Sequence, residues 1–193
     1  PGTDDYRPIQ DLQPVNQATI TIHPVVPNLY ALQGFIPAKA TFFTCLNLKD
    51  AFFCIHMAPQ SQSIFAFQWE SPKNGDKGQL TWTRLLQGLK NSPTIFGIAL
   101  ASDLKAFPAD QYGCVLFQYV DDLLLARRSQ EDSMEGTQQL LTLLWETSYK
   151  ASRKKAQICQ EKINYLGFHL SQGQFQLSPE RKQAVSLTLV PST

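Results

Sequence analysis

The spacing of apolar positions along this chain changes several times, and each change predicts a different element. Between Thr41 and Leu48 the residues Phe42, Phe43, Cys45, Leu46 and Leu48 are dense and β-prone, which predicts a strand. Ile64–Trp69 predicts a second strand. The polar run 71–78, with Pro72, Asn74, Gly75 and Gly78, reads as a turn, and Leu80–Thr83 as the strand that completes a hairpin. Ser92 and Pro93 then supply an N-cap residue and a first-turn proline. The residues Phe96, Leu100, Leu104 and Phe107 follow at helical spacing, predicting a helix with one face on a sheet. Cys114–Ala126 is apolar almost throughout apart from Gln118, Asp121 and Asp122, as expected of strands buried on both faces. Ser129 with Asp132 resembles a capping pair. Thr137, Leu140, Leu141, Leu144 and Ser148 continue a second helix, whose apolar stripe reads as core.

The last third predicts short strands at Gln157–Cys159 and Ile163–Leu170 and a helix opened by Ser178, Pro179 and Glu180. The first forty residues carry Pro8, Pro14, Pro24, Pro27 and Pro37, a density that favours extended, turn-rich structure. This order of elements is that of an α+β fold with an antiparallel sheet.

Composition narrows the class. At 193 residues and 43% hydrophobic, the chain can bury a core as one large domain or two small ones. The formal charge of +1 lacks the basic excess of many nucleic-acid binders, so charge alone suggests no such partner. Cys45, Cys54, Cys114 and Cys159 show no C-x-x-C pair, and His23, His56 and His169 no H-E-x-x-H; both patterns argue against zinc and a disulfide framework. The cysteines read as reduced, mostly core thiols. No apolar run approaches the roughly 18 to 20 residues of a membrane span, and the polar start Pro1–Asp5 is not a signal peptide, so an intracellular, cytoplasmic and non-secreted chain is expected. The absence of an initial Met, and a finish at Pro191–Thr193 directly after a charged stretch, read as the ends of a piece of something longer.

Two adjacent aspartates within an apolar strand pair need a compensating partner. A buried carboxylate loses hydration worth several kcal/mol unless it is paired or ligates a cation. Asp121 and Asp122 could merely cap an exposed turn, but a solvated turn needs no apolar strand on both sides, and here Tyr119-Val120 precedes and Leu123-Leu124-Leu125-Ala126 follows. At a tight hairpin turn neighbouring side chains can converge on one ion, and carboxylates suit Mg²⁺ shared with substrate phosphates. Two such ions can activate an attacking hydroxyl and stabilise a leaving phosphate.

Tyr119-Val120-Asp121-Asp122 resembles the signature of gammaretroviral reverse transcriptases, and the resemblance extends over essentially the whole chain. Tyr6–Leu12 looks like the start of the fingers and Leu46–Phe53 like the first palm strand. Leu80–Gly88 with Asn91-Ser92-Pro93 looks like the nucleotide-facing loop and helix. The resemblance implies a right-hand polymerase fold: fingers at about 1–40 and 54–90, palm at about 41–53 and 91–175, and the start of a thumb at 176–193, with the thumb largely absent. It implies that Asp121 and Asp122 bind two Mg²⁺ ions, Mn²⁺ being a possible substitute. Arg7 and Gln87 would contact the incoming deoxynucleoside triphosphate, the backbone amides of Asp50 and Ala51 would hold its triphosphate, and Phe52 would block a ribose 2′-hydroxyl. Taken alone, Phe52 reads as core. Tyr165, Leu166, Gly167 and Phe168 look like the hairpin that supports the primer end, although Gly167 also suits an ordinary β-turn.

The chain departs from the family at Asn47, where the first palm strand carries the third metal-binding aspartate. An amide oxygen can coordinate a cation but brings no charge, so activation of the primer hydroxyl is expected to suffer. Asp50, three residues on, could substitute only if a helical turn begins there. Leu86 stands in place of a proline, Leu89 of an aromatic, and Gly97-Ile98 of acidic residues. The resemblance ends near where a thumb would begin and includes no ribonuclease H segment, so a template of RNA or DNA with its primer would be held weakly. Arg127, Arg128, Arg153, Lys154 and Lys155 could add a salt-sensitive attraction but read first as solvated surface. The expectation is an RNA-directed DNA polymerase domain of a Pol polyprotein, impaired at Asn47. The alternative is an inactive endogenous retroviral relic that retains at most nucleic-acid binding. An unrelated two-carboxylate nuclease would need acidic or histidine partners the sequence does not offer.

Overall fold

The computed structural model describes residues 9–23, 34, 36–37 and 39–187. Strand β1 (Phe42–Lys49) pairs antiparallel on one side with β5 (Asp122–Arg127), which pairs in turn with β4 (Val115–Tyr119). On its other side β1 meets β6 (Lys150–Ala151) at Leu48 and Lys49, and β7 (Gln157–Gln160) at Phe43 and Cys45. These five strands belong to the second of two compact units, Val26–Lys49 with Ala101–Thr193; the first is Pro1–Val25 with Asp50–Leu100.

Alternation along β1 sorts its side chains between two faces. Phe43 and Cys45, opposite Ala126 and Leu124, are buried with Ile36, Ala40 and Phe117. Ile163, Tyr165 and Leu170 complete that cluster from a second antiparallel sheet formed by β8 (Lys162–Tyr165), β9 (Phe168–Ser171) and β10 (Gln174–Leu177). On the other face Leu46, Leu48, Leu123 and Leu125 are buried, and helix Gln130–Glu146 packs on β1, β5 and β7 through Thr137, Leu140 and Leu144. Two threonines of this layer satisfy each other, whereas Ser133 Oγ is buried without a hydrogen-bond partner among the described residues. Thr137 Oγ1 donates to Ser133 O at 2.7 Å, so Thr44 Oγ1 donates to Thr137 Oγ1 at 2.8 Å and accepts from Cys159 N at 3.0 Å.

The helix starts as its sequence predicts, with Ser129 Oγ accepting from Asp132 N at 3.2 Å, but it stops before Ser148. Ser148 has φ +67°, its N–H bonds Trp145 O, and Tyr149 N bonds Leu144 O, the paired closure of a Schellman turn in which serine occupies the usual glycine position. The following helix, Pro179–Leu187, begins behind Ser178, and β10, in which Gln174, Phe175, Gln176 and Leu177 alternate polar and apolar, is a strand outside the expected set.

In the first unit, β2 (Phe67–Glu70) and β3 (Lys77–Leu80) form the expected hairpin, but its first strand starts later than Ile64, because Ser63–Phe65 is a 3₁₀ turn, and its second lies earlier than Leu80–Thr83. The turn sets the register: Gly75 N and Ser71 N bond Ser71 O and Asp76 O, so pairing starts at once with the polar Lys77. All four β3 residues are exposed, leaving no apolar alternation to read. Helix Ser92–Leu104 buries Phe96 and Leu100, while Phe107 lies beyond its end. Ser92 does not act as the expected cap; its hydroxyl donates to Leu86 O at 2.6 Å. Cys45 and Cys114 are buried, Cys54 and Cys159 partly so, and none of the four is joined in a disulfide. Among the described residues no helix is long and apolar enough to cross a membrane.

Candidate active site

Tyr119 lies opposite Asp122, so the loop between β4 and β5 is the two residues Val120 and Asp121. Val120 has φ +53°, a conformation costly for a β-branched residue and suited to a two-residue hairpin turn. Leu48 N donates to Asp121 O at 2.8 Å and ties the tip to β1. Asn47 is the cross-strand partner of Asp122. Its Nδ2 donates to Asp122 Oδ1 at 2.9 Å and to Asp121 Oδ2 at 3.2 Å, so both carboxylates converge on one amide. On the far side of that amide, Lys155 Nζ donates to Asn47 Oδ1 at 3.3 Å.

Asn47 and Asp122 continue the face that carries Cys45 and Leu124, so the site sits at the end of an apolar surface. Burial accordingly raises the Asp122 carboxyl above its ordinary value. The Asn47 hydrogen bond opposes that rise, the Asp121 charge adds to it, and Lys155 draws it back. The Cys45 thiol is pushed up to about 12, first by burial and then by Asp122. Burial likewise raises Tyr165, with Cys45, Asp122 and Tyr119 adding to it, and its hydroxyl has no hydrogen-bond partner among the described residues.

The other predicted positions fall in three places. Arg7 lies outside the described residues. In the first unit, Gln87 is exposed on a turn between the buried Leu86 and Leu89, where Gly88 takes φ +95°. Asp50 is left-handed (φ +53°, ψ +37°) and a 3₁₀ turn, Ala51–Cys54, follows it, with Phe53 N bonded to Asp50 O; a helical turn therefore does begin there. Phe52 is half-buried and meets the Phe96 ring edge-on at 5.8 Å, so it serves packing whatever else it does. In the second unit, Tyr165 pairs with Phe168 around a two-residue turn in which Leu166 and Gly167 have φ +52° and +78°.

Two residues emerge that sequence reasoning missed. Lys155, read as part of a solvated basic run, reaches a residue 108 positions away, which no local spacing could reveal. Arg181 donates to Leu166 O and stacks on Phe168. The basic cluster also needs a correction at Arg127, whose side chain is only 2% exposed and so cannot offer a phosphate a surface charge. Its strand position turns it under helix Gln130–Glu146, against Gly136. Of the departures from the family pattern, Leu86 and Leu89 fill buried positions and Ile98 is exposed.

A family model described as reverse transcriptase (RNA-dependent DNA polymerase) matches residues 1–170. The Gag-Pol polyprotein of gibbon ape leukemia virus is 51% identical over 193 residues, which are 100% of this chain and 11% of that protein. The Pol polyprotein of feline endogenous virus ECE1 is 54% identical over 186 residues, 96% of this chain and 18% of the relative. The chain thus spans a small fraction of the relatives it matches. Among solved structures, a foamy viral protease-reverse transcriptase in complex with double-stranded DNA superimposes with a TM-score of 0.79 at 25% identity, covering 99% of this chain and 31% of that one. The foamy viral enzyme in complex with an RNA/DNA hybrid gives 0.75 at 25% identity, covering 98% and 24%.

Proposed function

The chain belongs to the reverse transcriptase (RNA-dependent DNA polymerase) family, and on that premise we propose that it is a fingers-and-palm portion whose nucleotidyl transfer onto a primer 3′-hydroxyl is impaired at Asn47. The observation that carries this reading is the meeting of Asp121 and Asp122 on the Asn47 amide at 3.2 and 2.9 Å. Two carboxylates brought that close repel each other unless a donor or cation lies between them.

The donor set fits one divalent ion and does not fit two. Asp121 and Asp122 offer two hard anionic ligands suited to Mg²⁺ or Mn²⁺, but position 47 turns N–H groups, not a lone pair, toward the same space. When bound, such an ion neutralises the triphosphate and lowers the barrier to attack by the primer hydroxyl. The chain's own contribution is positional. The β4–β5 turn presents the carboxylates, and the Tyr165–Phe168 hairpin, also in the second unit, is proposed to support the primer end. From the first unit, Gln87 is exposed to meet a nucleotide, and the left-handed Asp50 followed by Ala51 makes a concavity of backbone amides of the kind that cradles phosphate. Phe52, fixed edge-on against Phe96, is proposed to sit where a 2′-hydroxyl would clash.

Primer extension by the wild-type chain and by Asn47→Asp, with Mg²⁺ and an RNA template, tests the reading. Electrostatic stabilisation dominates phosphoryl transfer, so Asn47→Asp is expected to be faster by roughly a hundredfold or more. Equal rates would overturn it. The second reading, an endogenous viral relic that binds nucleic acid without catalysis, is favoured by the way the Asn47 amide, itself bonded by Lys155, donates to both carboxylates. Salt-sensitive template–primer binding with no incorporation by either form would select it.

A further inference from the structure

We propose that Lys155 is a positioning residue that fixes the direction of the Asn47 amide and thereby holds Asp121 and Asp122 on hydrogen bonds that compete with cation binding. This rests on the reading of Asp121 and Asp122 as the metal-binding pair. The donor and acceptor inventory allows one orientation only. An ammonium donates and never accepts, an ionised carboxylate accepts and never donates, and the amide has one end of each kind. Oδ1 toward Lys155 and Nδ2 toward the two carboxylates makes three hydrogen bonds, at 3.3, 2.9 and 3.2 Å. Turning the amide by half a revolution would set its oxygen against both carboxylates and its N–H groups against the ammonium, converting three attractions into three repulsions.

That half turn is the movement a cation would need in order to take Asn47 Oδ1 as a third ligand. The lysine is delivered to its place by the same strand position it acts on. Ser152 N donates to Asn47 O at 2.8 Å, and the turn that follows closes through Lys155 N and Ala156 N onto Ser152 O at 3.2 and 3.0 Å. Removing the ammonium leaves the amide oxygen without its donor, so that reorientation costs only the two bonds that a bound ion replaces.

Manganese binding by the 193-residue chain, followed by electron paramagnetic resonance at low salt, tests this without reference to activity. Loss of one charge-assisted hydrogen bond at a solvent-exposed lysine should tighten Mn²⁺ binding by about tenfold in Lys155→Met. Lys155→Arg keeps the charge and the donors, and is expected to stay within about threefold of wild type. As a second readout, the Asn47 side-chain NH₂ protons should exchange faster with solvent in Lys155→Met than in wild type or Lys155→Arg. If Lys155→Met binds Mn²⁺ no more tightly than wild type while Asn47→Asp does, the lysine is not the lock, although the metal-site reading stands. If Asn47→Asp also gains no Mn²⁺ site sensitive to Asp121→Asn, the metal-site reading falls and takes the proposal with it.

Discussion

Arg181 donates through Nη1 to the carbonyl oxygen of Leu166 at 3.1 Å, so the first turn of the last described helix is latched to the β8–β9 hairpin. The same guanidinium lies 5.1 Å from the Phe168 ring centroid, and a Cβ at Gly167 would come 3.0 Å from Arg181 Nε. Ser178 N adds a bond to Gly167 O at 3.2 Å. The turn is thus held from outside at both of its left-handed residues.

Gly167→Ala is expected to destabilise the chain by about 1–2 kcal/mol, because alanine is strained at φ +78° and its methyl displaces the guanidinium. Arg181→Met should cost less, about 0.5–1 kcal/mol, since the pair is solvent-exposed. Urea unfolding of the two single variants and the double variant should give a sum larger than the double. Strict additivity would mean that arginine and turn are independent.

Arg127 is a different case. Its Nε and Nη2 are buried without a hydrogen-bond partner among the described residues, and its Nη1 reaches Asp132 only at 4.0 Å. Tyr112 contributes a ring 5.5 Å from the guanidinium carbon. Arg127→Met keeps the volume and removes the desolvated charge, so we expect it to raise unfolding free energy by about 1–2 kcal/mol. A lower urea midpoint in the variant would refute this.

Acidity provides a third prediction. Because burial raises the folded-state pKa of Asp122 above its ordinary 3.8, the stability linked to this group is fully present below that value and is lost as pH rises through the folded pKa. Asp122→Asn keeps an acceptor for Asn47 and carries no charge. In metal-free buffer it should melt higher than wild type near neutral pH, with the gap closing as pH falls toward 3.8. A gap that is constant with pH would contradict the shift.

Thiol chemistry provides a fourth. With Cys45 pushed up to about 12, its thiolate fraction at pH 8 is about a thousandfold below that of an unperturbed thiol. Cys114 is also raised, chiefly by burial. Brief alkylation of the native chain, read by peptide mass spectrometry, should label Cys54 and Cys159 and spare Cys45 and Cys114 until urea is added.

The readable parts of this molecule were those in which a local pattern and the tertiary environment agree. Ser129 capping its helix and the apolar flanks of Asp121-Asp122 are of this kind: each requires only neighbours in sequence. Strand β3 was misplaced because its residues are exposed on both faces, leaving the turn's hydrogen bonds to set its position. Lys155 and Arg127 look alike as basic surface residues, yet one bonds Asn47 and the other lies under a helix. Only the pairing of distant strands separates them. Position 47 was legible as a departure, but not as a donor to both carboxylates, since an amide's direction depends on everything around it.

The central place of β1 has a kinetic consequence. Bonded on both sides, by β5 and by β6 with β7, its amides should exchange with solvent only when the whole unit unfolds, whereas the two-residue tip at Val120 and Asp121 can open locally. Asn47 is therefore expected to stand on the slowest-exchanging backbone of the unit, and Asp121 on a faster-exchanging one. Any molecule that must pry the three side chains apart will find it easier to move the aspartate than the asparagine.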